Sequence, residues 1–132
     1  MDNSFYLNLL KKERSVSKYF NVRTVVDGIS FDSKREAGRY QELKLLEKGK
    51  EIKEIEVHPR FILQEMFNDY LGVRHEAIFY EADFRYWEKK QVKGRIRWLD
   101  TVEDVKGMKT DVYKLKKKLF LYKYPKFIFI EL

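Results

Sequence analysis

The chain has 132 residues, of which 44% are hydrophobic and 16% aromatic, so it can form one domain with a real core and lacks the composition of a disordered chain. Lys and Arg number 28 against 21 Asp and Glu, and this surplus favours a polyanion such as a nucleic acid as the partner. The absence of cysteine excludes a disulfide scaffold, a thiol nucleophile and any cysteine-ligated metal site.

Residues 1–20 mix apolar and basic side chains. Their pattern leaves open an arm, a dimerisation segment, a partner-binding helix or a tail, and we separate them from a domain at 21–132. No apolar run approaches the roughly 20 residues that a membrane-spanning helix needs, and the first residues lack the basic and apolar stretches of an export signal. We therefore expect a cytoplasmic protein with no membrane partner.

The first predicted elements are a hairpin and a helix. β-branched residues flank Asp27-Gly28, a dipeptide typical of tight hairpin turns. Ser33 precedes Glu36 by three residues, the spacing of a capping box, and Gly49 ends the apolar periodicity that follows, which predicts a helix of about 15 residues. The same periodicity places Glu36 on the core-facing side of the first helical turn.

The rest of the chain alternates between strand-like and helical patterns. Strands are predicted at 56–64, 77–87 and 96–106, with a turn at 68–72 and a basic loop at 89–95. A second helix from Thr110 or Asp111 to about Lys123 and a closing strand at 127–130 complete the chain. One stripe of this helix is apolar: Val112, Leu115, Leu119 and Tyr122. Three adjacent strands followed by a helical crossover predict an α/β (α+β) fold, a mixed sheet packed against helices.

The third strand carries ionisable residues where a core strand should be apolar. Side chains alternate between faces, so Asp104 and Lys106 share one face while Glu103 and Val105 share the other. Asp83 is a similar anomaly in the preceding strand, and hairpin pairing would bring it near Asp104. Two carboxylates held together repel each other, and a divalent cation such as Mg²⁺, or Mn²⁺ in its place, relieves the repulsion.

Each of these residues also has an ordinary structural interpretation. Glu36 is a candidate third carboxylate, but the capping box alone would explain it. Asp83 could be a strand-end carboxylate, and Asp104 with Lys106 a plain ion pair. Glu103 is interpreted as structural because strand alternation turns it away. The occurrence of these residues together, in this order along the chain, favours a metal site over the separate structural interpretations.

Several segments together resemble the PD-(D/E)XK nuclease superfamily, and more closely a family of small phage-encoded endonucleases that includes Holliday junction resolvases. Asp83 followed about twenty residues later by Asp104-Val105-Lys106 resembles the superfamily signature, and Glu36 resembles the helical glutamate of the resolvases. The family-like segments are 31–37, 59–61, 82–84, 103–107 and 113–118. The chain departs from the pattern in having no proline before Asp83 and in having Asp104 where glutamate is commoner.

The resemblance implies a restriction-endonuclease-like αβββαβ core, with helices flanking a central mixed sheet, and a metal-dependent phosphodiester hydrolase. Asp83, Asp104 and the Val105 carbonyl would hold one Mg²⁺, and Glu36 would help to hold a second ion or its water. Lys106 would orient or deprotonate the attacking water and stabilise charge on the phosphate. No small-molecule cofactor is implied.

Basic residues near these motifs are candidate phosphate ligands: Lys34, Arg35, Arg60, Lys109, Lys114, Lys117 and Lys118. The lysine run would otherwise be the solvated face of a helix. We therefore expect a structure-selective endodeoxyribonuclease that resolves Holliday junctions in branched or double-stranded DNA as a homodimer, because paired cuts across a four-way junction need two sites. A nicking or duplex endonuclease of phage replication or packaging, and a non-catalytic DNA-binding module, remain alternatives. If the chain is phage-encoded, it would act in the host cytoplasm.

Overall fold

The computed structural model describes residues 23–132. The predictions made for residues 1–20 lie outside this range. Contacts divide the chain into two units: the first ends at Lys44, and the second is Leu45–Leu132. Among the described residues, no helix has the length and apolar character needed to cross a membrane.

The first unit contains the predicted hairpin, formed by β1 (Thr24–Val26) and β2 (Ile29–Phe31). Asp27 and Gly28 connect the strands with positive φ angles of 52° and 75°. A two-residue turn with positive φ at both positions matches the twist of the flanking strands, and Asp-Gly is a favoured pair for it. The hairpin prediction is confirmed.

Helix α1 (Lys34–Lys48) follows and confirms the predicted helix. The Glu36 N–H donates to Ser33 Oγ at 3.1 Å, so Ser33 acts as the predicted cap. Glu36 is buried together with the apolar residues of the same face, Ala37, Tyr40 and Leu43. Helical hydrogen bonding ends with the Gly49 N–H on the Leu45 carbonyl, and Lys50 then takes a left-handed conformation (φ 61°) that turns the chain away.

The second unit contains eight strands and helix α2. In chain order they are β3 (Ile52–Val57), β4 (Arg60–Gln64), β5 (Phe67–Asn68), β6 (Arg74–His75), β7 (Ile78–Glu81), β8 (Phe84–Val92), β9 (Arg95–Asp104), α2 (Asp111–Lys123) and β10 (Ile128–Glu131). The main sheet has the order β10-β9-β8-β3; β10 pairs with β9 in parallel, and the other pairs are antiparallel. The predicted mixed sheet with two helices in an α+β chain is confirmed.

Two of the predicted strands are each broken in two. The run 56–64 is divided at His58 and Pro59, and the run 77–87 at Ala82 and Asp83. The halves belong to different sheets: β3 and β8 join the main sheet, whereas β4 and β7 pair as a separate ribbon. His58 has a φ of 54° and proline lacks an N–H, so neither residue continues a regular ladder. Strand β3, which begins at Ile52, extends upstream of the predicted run.

The predicted basic loop at 89–95 is wrong. Strands β8 and β9 stay paired from Phe84↔Glu103 to Val92↔Arg95, and only Lys93 and Gly94 form the turn, with φ angles of 52° and 75°. The composition of this basic run is typical of a loop. Long charged side chains are nevertheless well tolerated at the solvated end of a β-hairpin.

Helix α2 begins at Thr110, whose side chain accepts the Tyr113 N–H at 3.1 Å, as predicted. Its buried face is aromatic and belongs to a core cluster with side chains of β4, β7 and β9: Phe61, Tyr80, Ala82, Val102, Tyr113 and Phe120. The apolar stripe found in the sequence lies on a different, exposed side of the helix. Tyr113 and Phe120 pack against the rings of Phe61 and Tyr80, which explains why this side of the helix faces the core.

Candidate active site

Asp104 is the centre of the candidate site. It ends β9 and is 0% exposed. Its Oδ2 accepts the Tyr80 hydroxyl. Its Oδ1 is buried and accepts no hydrogen bond from the described residues, although Lys106 Nζ lies 3.3 Å away as an ion-pair partner. A buried carboxylate oxygen without a hydrogen-bond donor is costly unless another group binds it.

Asp83 lies beside Asp104, at the break between β7 and β8. Its Oδ2 accepts the Val105 N–H at 2.5 Å, and its own N–H donates to the Glu103 carbonyl at 3.1 Å. Burial raises the pKa of Asp104 to about 6, with a further upward contribution from the Asp83 charge, while the Tyr80 hydrogen bond and Lys106 oppose the increase. The structure therefore brings together the two aspartates that the sequence pairs.

Lys106 completes this group from just beyond the end of β9. Its ammonium lies 3.3 Å from Asp104 Oδ1 and 4.9 Å from the centre of the Tyr113 ring on α2. The aromatic face and the carboxylate both attract the ammonium and fix its direction. The expected sharing of one face by Asp104 and Lys106 is confirmed.

His58 is a neighbour of the site that none of the sequence motifs includes. It is half-buried, and its N–H donates to the Asp83 carbonyl at 2.9 Å. One of its ring nitrogens lies within 4.8 Å of an Asp83 carboxylate oxygen. Its position directly before Pro59 is the signal that could have found it, since a break between strands is where a side chain is redirected.

Glu103 has a different environment from Asp104, although the two are adjacent and both are fully buried. Glu103 Oε2 accepts the Tyr86 hydroxyl at 2.7 Å. Strand alternation places it on the opposite face of β9 from Asp104. This agrees with the structural role that the sequence indicates for Glu103.

Metal binding by two further predicted ligands, Glu36 and Val105, stays a prediction. Glu36 lies in the first unit, buried in the first turn of α1. Val105 uses its N–H for Asp83, and the proposed contact of its carbonyl with a metal stays a prediction.

Four of the seven predicted phosphate ligands line one cavity of about 340 Å³ beside α2. Its lining consists of Lys109, Tyr113, Lys114, Lys117, Lys118, Leu121 and Glu131. Glu131 on β10 accepts from Lys109 at 2.7 Å, from Lys117 at 3.0 Å and from the Tyr113 hydroxyl at 2.5 Å. These donors lower the pKa of Glu131 to about 2. We call this group the basic cavity.

The other three predicted phosphate ligands lie elsewhere. The guanidinium of Arg60 stacks 4.2 Å from the centre of the Phe79 ring, and both residues line a second cavity with Lys116. Lys34 and Arg35 are exposed at the start of α1 in the first unit. Contact of these three with nucleic acid stays a prediction.

The donor set of the site fits a hard divalent cation. Asp83 and Asp104 offer carboxylate oxygens, and Asp104 Oδ1 is buried with no hydrogen-bond donor among the described residues. Mg²⁺ and Mn²⁺ prefer such oxygens, and Mn²⁺ also accepts an imidazole nitrogen such as that of His58. A cation would offset the two effects that raise the pKa of Asp104, its burial and the charge of Asp83.

Comparison with known proteins gives a family but no activity. A family model described as a protein of unknown function (DUF1064) matches residues 16–130, which is most of the chain. Searches of curated proteins and of solved structures returned no match.

Proposed function

We propose that this chain, which belongs to DUF1064, a family of proteins of unknown function, is a Mg²⁺-dependent, structure-selective endodeoxyribonuclease. Its substrate would be branched DNA, cut by a homodimer in the manner of a phage-type Holliday junction resolvase in the cytoplasm. The observation that carries the proposal is the convergence of Asp83, Asp104 and Lys106, with one buried Asp104 oxygen that accepts no hydrogen bond from residues 23–132.

The order of the elements supports a restriction-endonuclease-like core. Helix α1 is followed by β3, β8 and β9 of the main sheet, then by α2 and β10. This is the αβββαβ order that the sequence resemblance implies. The candidate residues lie at the end of β9 and at the start of β8, the positions that correspond to the two halves of the signature.

Asp83 and Asp104 would hold the cation, with His58 as a neighbouring nitrogen donor. A bound Mg²⁺ would lower the pKa of coordinated water and offset negative charge on the phosphate. Tyr80 occupies Asp104 Oδ2, so Oδ1 is the oxygen left for ligation. Asp104 therefore presents one defined oxygen, Oδ1, to the site.

Lys106 would act on the reacting phosphate. Its ammonium is held between Asp104 and the Tyr113 ring, and its side chain is 30% exposed, so it can reach a group that arrives from solvent. From there it can hydrogen-bond an attacking water and stabilise the charge that develops on the phosphate oxygens. Burial raises the pKa of Tyr113, which therefore stays protonated and neutral beside the lysine.

The basic cavity would bind the DNA backbone next to the cut. Lys114 and Lys118 are exposed on α2, and Lys109 and Lys117 point to Glu131. Tyr113 joins the cavity to the site, because its hydroxyl bonds Glu131 and its ring contacts Lys106. Lysine contacts to phosphate position DNA without reading its sequence, as a structure-selective enzyme requires.

A cleavage assay tests the proposal. Labelled four-way, three-way and linear DNA of shared sequence are incubated with Mg²⁺, with Mn²⁺ and with EDTA, using wild type and Asp104→Asn. We expect cutting of the four-way junction in both metals, none in EDTA and none by the variant. Equal cutting of linear duplex would indicate a general endonuclease, whereas binding without cutting in any metal would contradict a nuclease function.

A further inference from the structure

Helix α2 carries an apolar stripe that the other described residues, 23–132, leave exposed. Val112, Leu115, Leu119 and Tyr122 follow each other at spacings of three and four residues, and they are between 42% and 88% exposed. Such spacing puts them on one face of the helix. Four uncovered apolar side chains in a row are typical of an interaction surface rather than of a solvated helix.

This stripe adjoins the basic cavity at Lys118 but faces away from the rest of it. At 100° per residue, the cavity residues Lys114, Lys117 and Leu121 lie on a different side of α2 from the stripe. Three lysines and one acid border the stripe: Lys116 and Lys123 on one side, Lys118 and Asp111 on the other, so the border is positive overall. A partner for the stripe therefore needs apolar side chains and negative charge.

A second uncovered apolar surface lies at the β5–β6 hairpin. At its tip, Tyr70 is fully exposed and Leu71 is 83% exposed. Further apolar residues of the hairpin are also exposed: Met66, Phe67 and Val73. The hairpin continues from the β4–β7 ribbon and forms its own two-stranded sheet.

The hairpin is held in a defined shape by Asp69. Its Oδ1 accepts the N–H groups of Leu71 and Val73 at 2.9 and 3.0 Å, and its Oδ2 lies 2.9 Å from a ring nitrogen of His75. The His75 ring also stacks on Phe67, with centroids 4.8 Å apart. A pre-ordered loop loses little entropy on binding, which suits a docking element.

The hairpin also has the charge that the α2 stripe needs. Residues 65–76 contain three acids, Glu65, Asp69 and Glu76, and one arginine, Arg74, which pairs with Glu76 at 2.9 Å, so the hairpin carries a net negative charge. The surface is therefore apolar with an acidic border, whereas the stripe is apolar with a lysine border. We propose that the β5–β6 hairpin of one protomer docks on the α2 stripe of a second copy of this chain.

Charge excludes the simpler arrangement in which two α2 stripes pack on each other. That contact would bring Lys116, Lys118 and Lys123 of both copies together, and opposed like charges across an interface disfavour association. Docking of the hairpin on α2 instead places acids against lysines. In a dimer with two-fold symmetry this contact occurs twice, because each protomer supplies one hairpin and one α2 stripe. Each copy then contributes nine exposed apolar side chains to the two contacts.

Cross-linking between two single-cysteine variants tests the contact, and the natural chain has no cysteine to interfere. Leu71→Cys and Leu115→Cys proteins are mixed and treated with a short bis-maleimide. We expect a cross-linked heterodimer in the mixture and only traces in either protein alone. Cross-linking of the Leu115→Cys protein with itself would show helix-to-helix packing, and cross-linking of the Leu71→Cys protein with itself would show hairpin-to-hairpin packing; either result overturns the proposal.

Light scattering on size-exclusion fractions provides the second measurement. We expect a dimeric wild type, monomeric Leu71→Asp and Leu119→Asp proteins with unchanged circular dichroism, and a dimeric Val25→Asp control, since Val25 is an exposed apolar residue of β1. A monomeric wild type, or a Leu71→Asp protein that stays dimeric, overturns the proposal. The inference rests on the homodimer of the proposed function and names its contact. Its failure is distinguishable from failure of the nuclease proposal, because mass and cross-links do not depend on cleavage and Asp104→Asn should dimerise normally.

Discussion

The hydroxyl of Tyr80 donates a hydrogen bond to Asp104 Oδ2, and this buried contact joins the β4–β7 ribbon to the end of β9 in the main sheet. Burial and the Asp104 carboxylate both raise the pKa of Tyr80, so the hydroxyl stays protonated and remains a donor. The bond leaves Oδ1 as the oxygen available to a cation. Tyr80 is therefore a positioning residue for the candidate metal ligand.

Replacing Tyr80 with phenylalanine should weaken both the fold and the site. The change leaves a buried carboxylate oxygen without its donor, which costs about 1–3 kcal/mol in the free energy of unfolding. Asp104 would also lose its fixed orientation, so we expect a higher Mg²⁺ concentration for half-maximal cleavage. Urea unfolding and metal titration of the cleavage rate measure the two effects.

Tyr86→Phe is the matched control, because Tyr86 donates to the buried Glu103 from the other face of β9. It should lose stability by a similar amount and keep the wild-type metal dependence. If the two variants shift the metal titration equally, Tyr80 does not position Asp104.

Metal binding should raise the melting temperature of the wild type but not that of the aspartate variants. A ligand that binds only the folded state stabilises it in proportion to the logarithm of its concentration over Kd, about 2.7 kcal/mol at a hundredfold excess. Asp83→Asn and Asp104→Asn should melt at the same temperature with Mg²⁺ and with EDTA. In EDTA, Asp104→Asn should melt above the wild type, because the variant carries no buried charge next to Asp83.

Thermal denaturation in EDTA and at Mg²⁺ concentrations that rise in tenfold steps measures these melting temperatures. Asp100→Asn is a control on the same strand, since Asp100 pairs with Arg85 at 2.9 Å away from the site. An unchanged metal response in Asp104→Asn would remove Asp104 from the ligand set.

The core of the site was predictable because strand alternation and motif spacing act locally. Asp104 and Lys106 share a face in any regular strand, and pairing of the two flanking strands is enough to bring Asp83 close. Tyr80 and His58 were not predictable in this way. Each reaches the site through a break between two strands, and the alternation rule does not carry across such a break.

The fold shows the same division between local and long-range information. The caps at Ser33 and Thr110 and the Asp27-Gly28 turn confirm the predicted starts and reversals, since each depends on a few neighbouring residues. The boundaries of the ribbon and the buried face of α2 were missed. They are decided by which aromatic side chains pack together from β4, β7 and α2, and this depends on contacts between residues far apart in the chain.

Glu131 should make the stability of the protein depend on acid pH. Its donors lower its pKa from the ordinary 4.5 to about 2, so its contribution to folding is complete above pH 4.5 and is lost as the pH falls from 4.5 towards 2. Glu131→Gln should therefore be less stable than the wild type at pH 7 and nearly equal to it near pH 2. Urea unfolding at several pH values measures the difference, and a gap that stays constant over this range would contradict the assignment.

The basic cavity should determine how DNA binding responds to salt. Each lysine–phosphate contact adds about 0.9 to the slope of log K against log salt. Lys114→Ala with Lys118→Ala should lower that slope by about 2 on every DNA tested, with cleavage restored at low salt. Lys50→Ala with Lys53→Ala is the control, because these lysines line a different cavity beside Trp98. Fluorescence anisotropy in EDTA measures binding alone, and an equal loss of slope in both double variants would assign DNA binding to net charge.

His58 should make the site favour Mn²⁺ over Mg²⁺. Its ring nitrogen lies within 4.8 Å of the Asp83 carboxylate, and imidazole nitrogen suits Mn²⁺, whereas Mg²⁺ prefers an all-oxygen shell. His58→Ala should weaken Mn²⁺ binding by roughly tenfold or more, the scale of losing a ligand or its support, while Mg²⁺ binding changes little. Calorimetric titration of both ions measures this without DNA. His75→Ala is the control, because His75 pairs with Asp69 in the β5–β6 hairpin. Equal losses for both ions in His58→Ala would make His58 a structural support of Asp83, since its backbone N–H already bonds the Asp83 carbonyl.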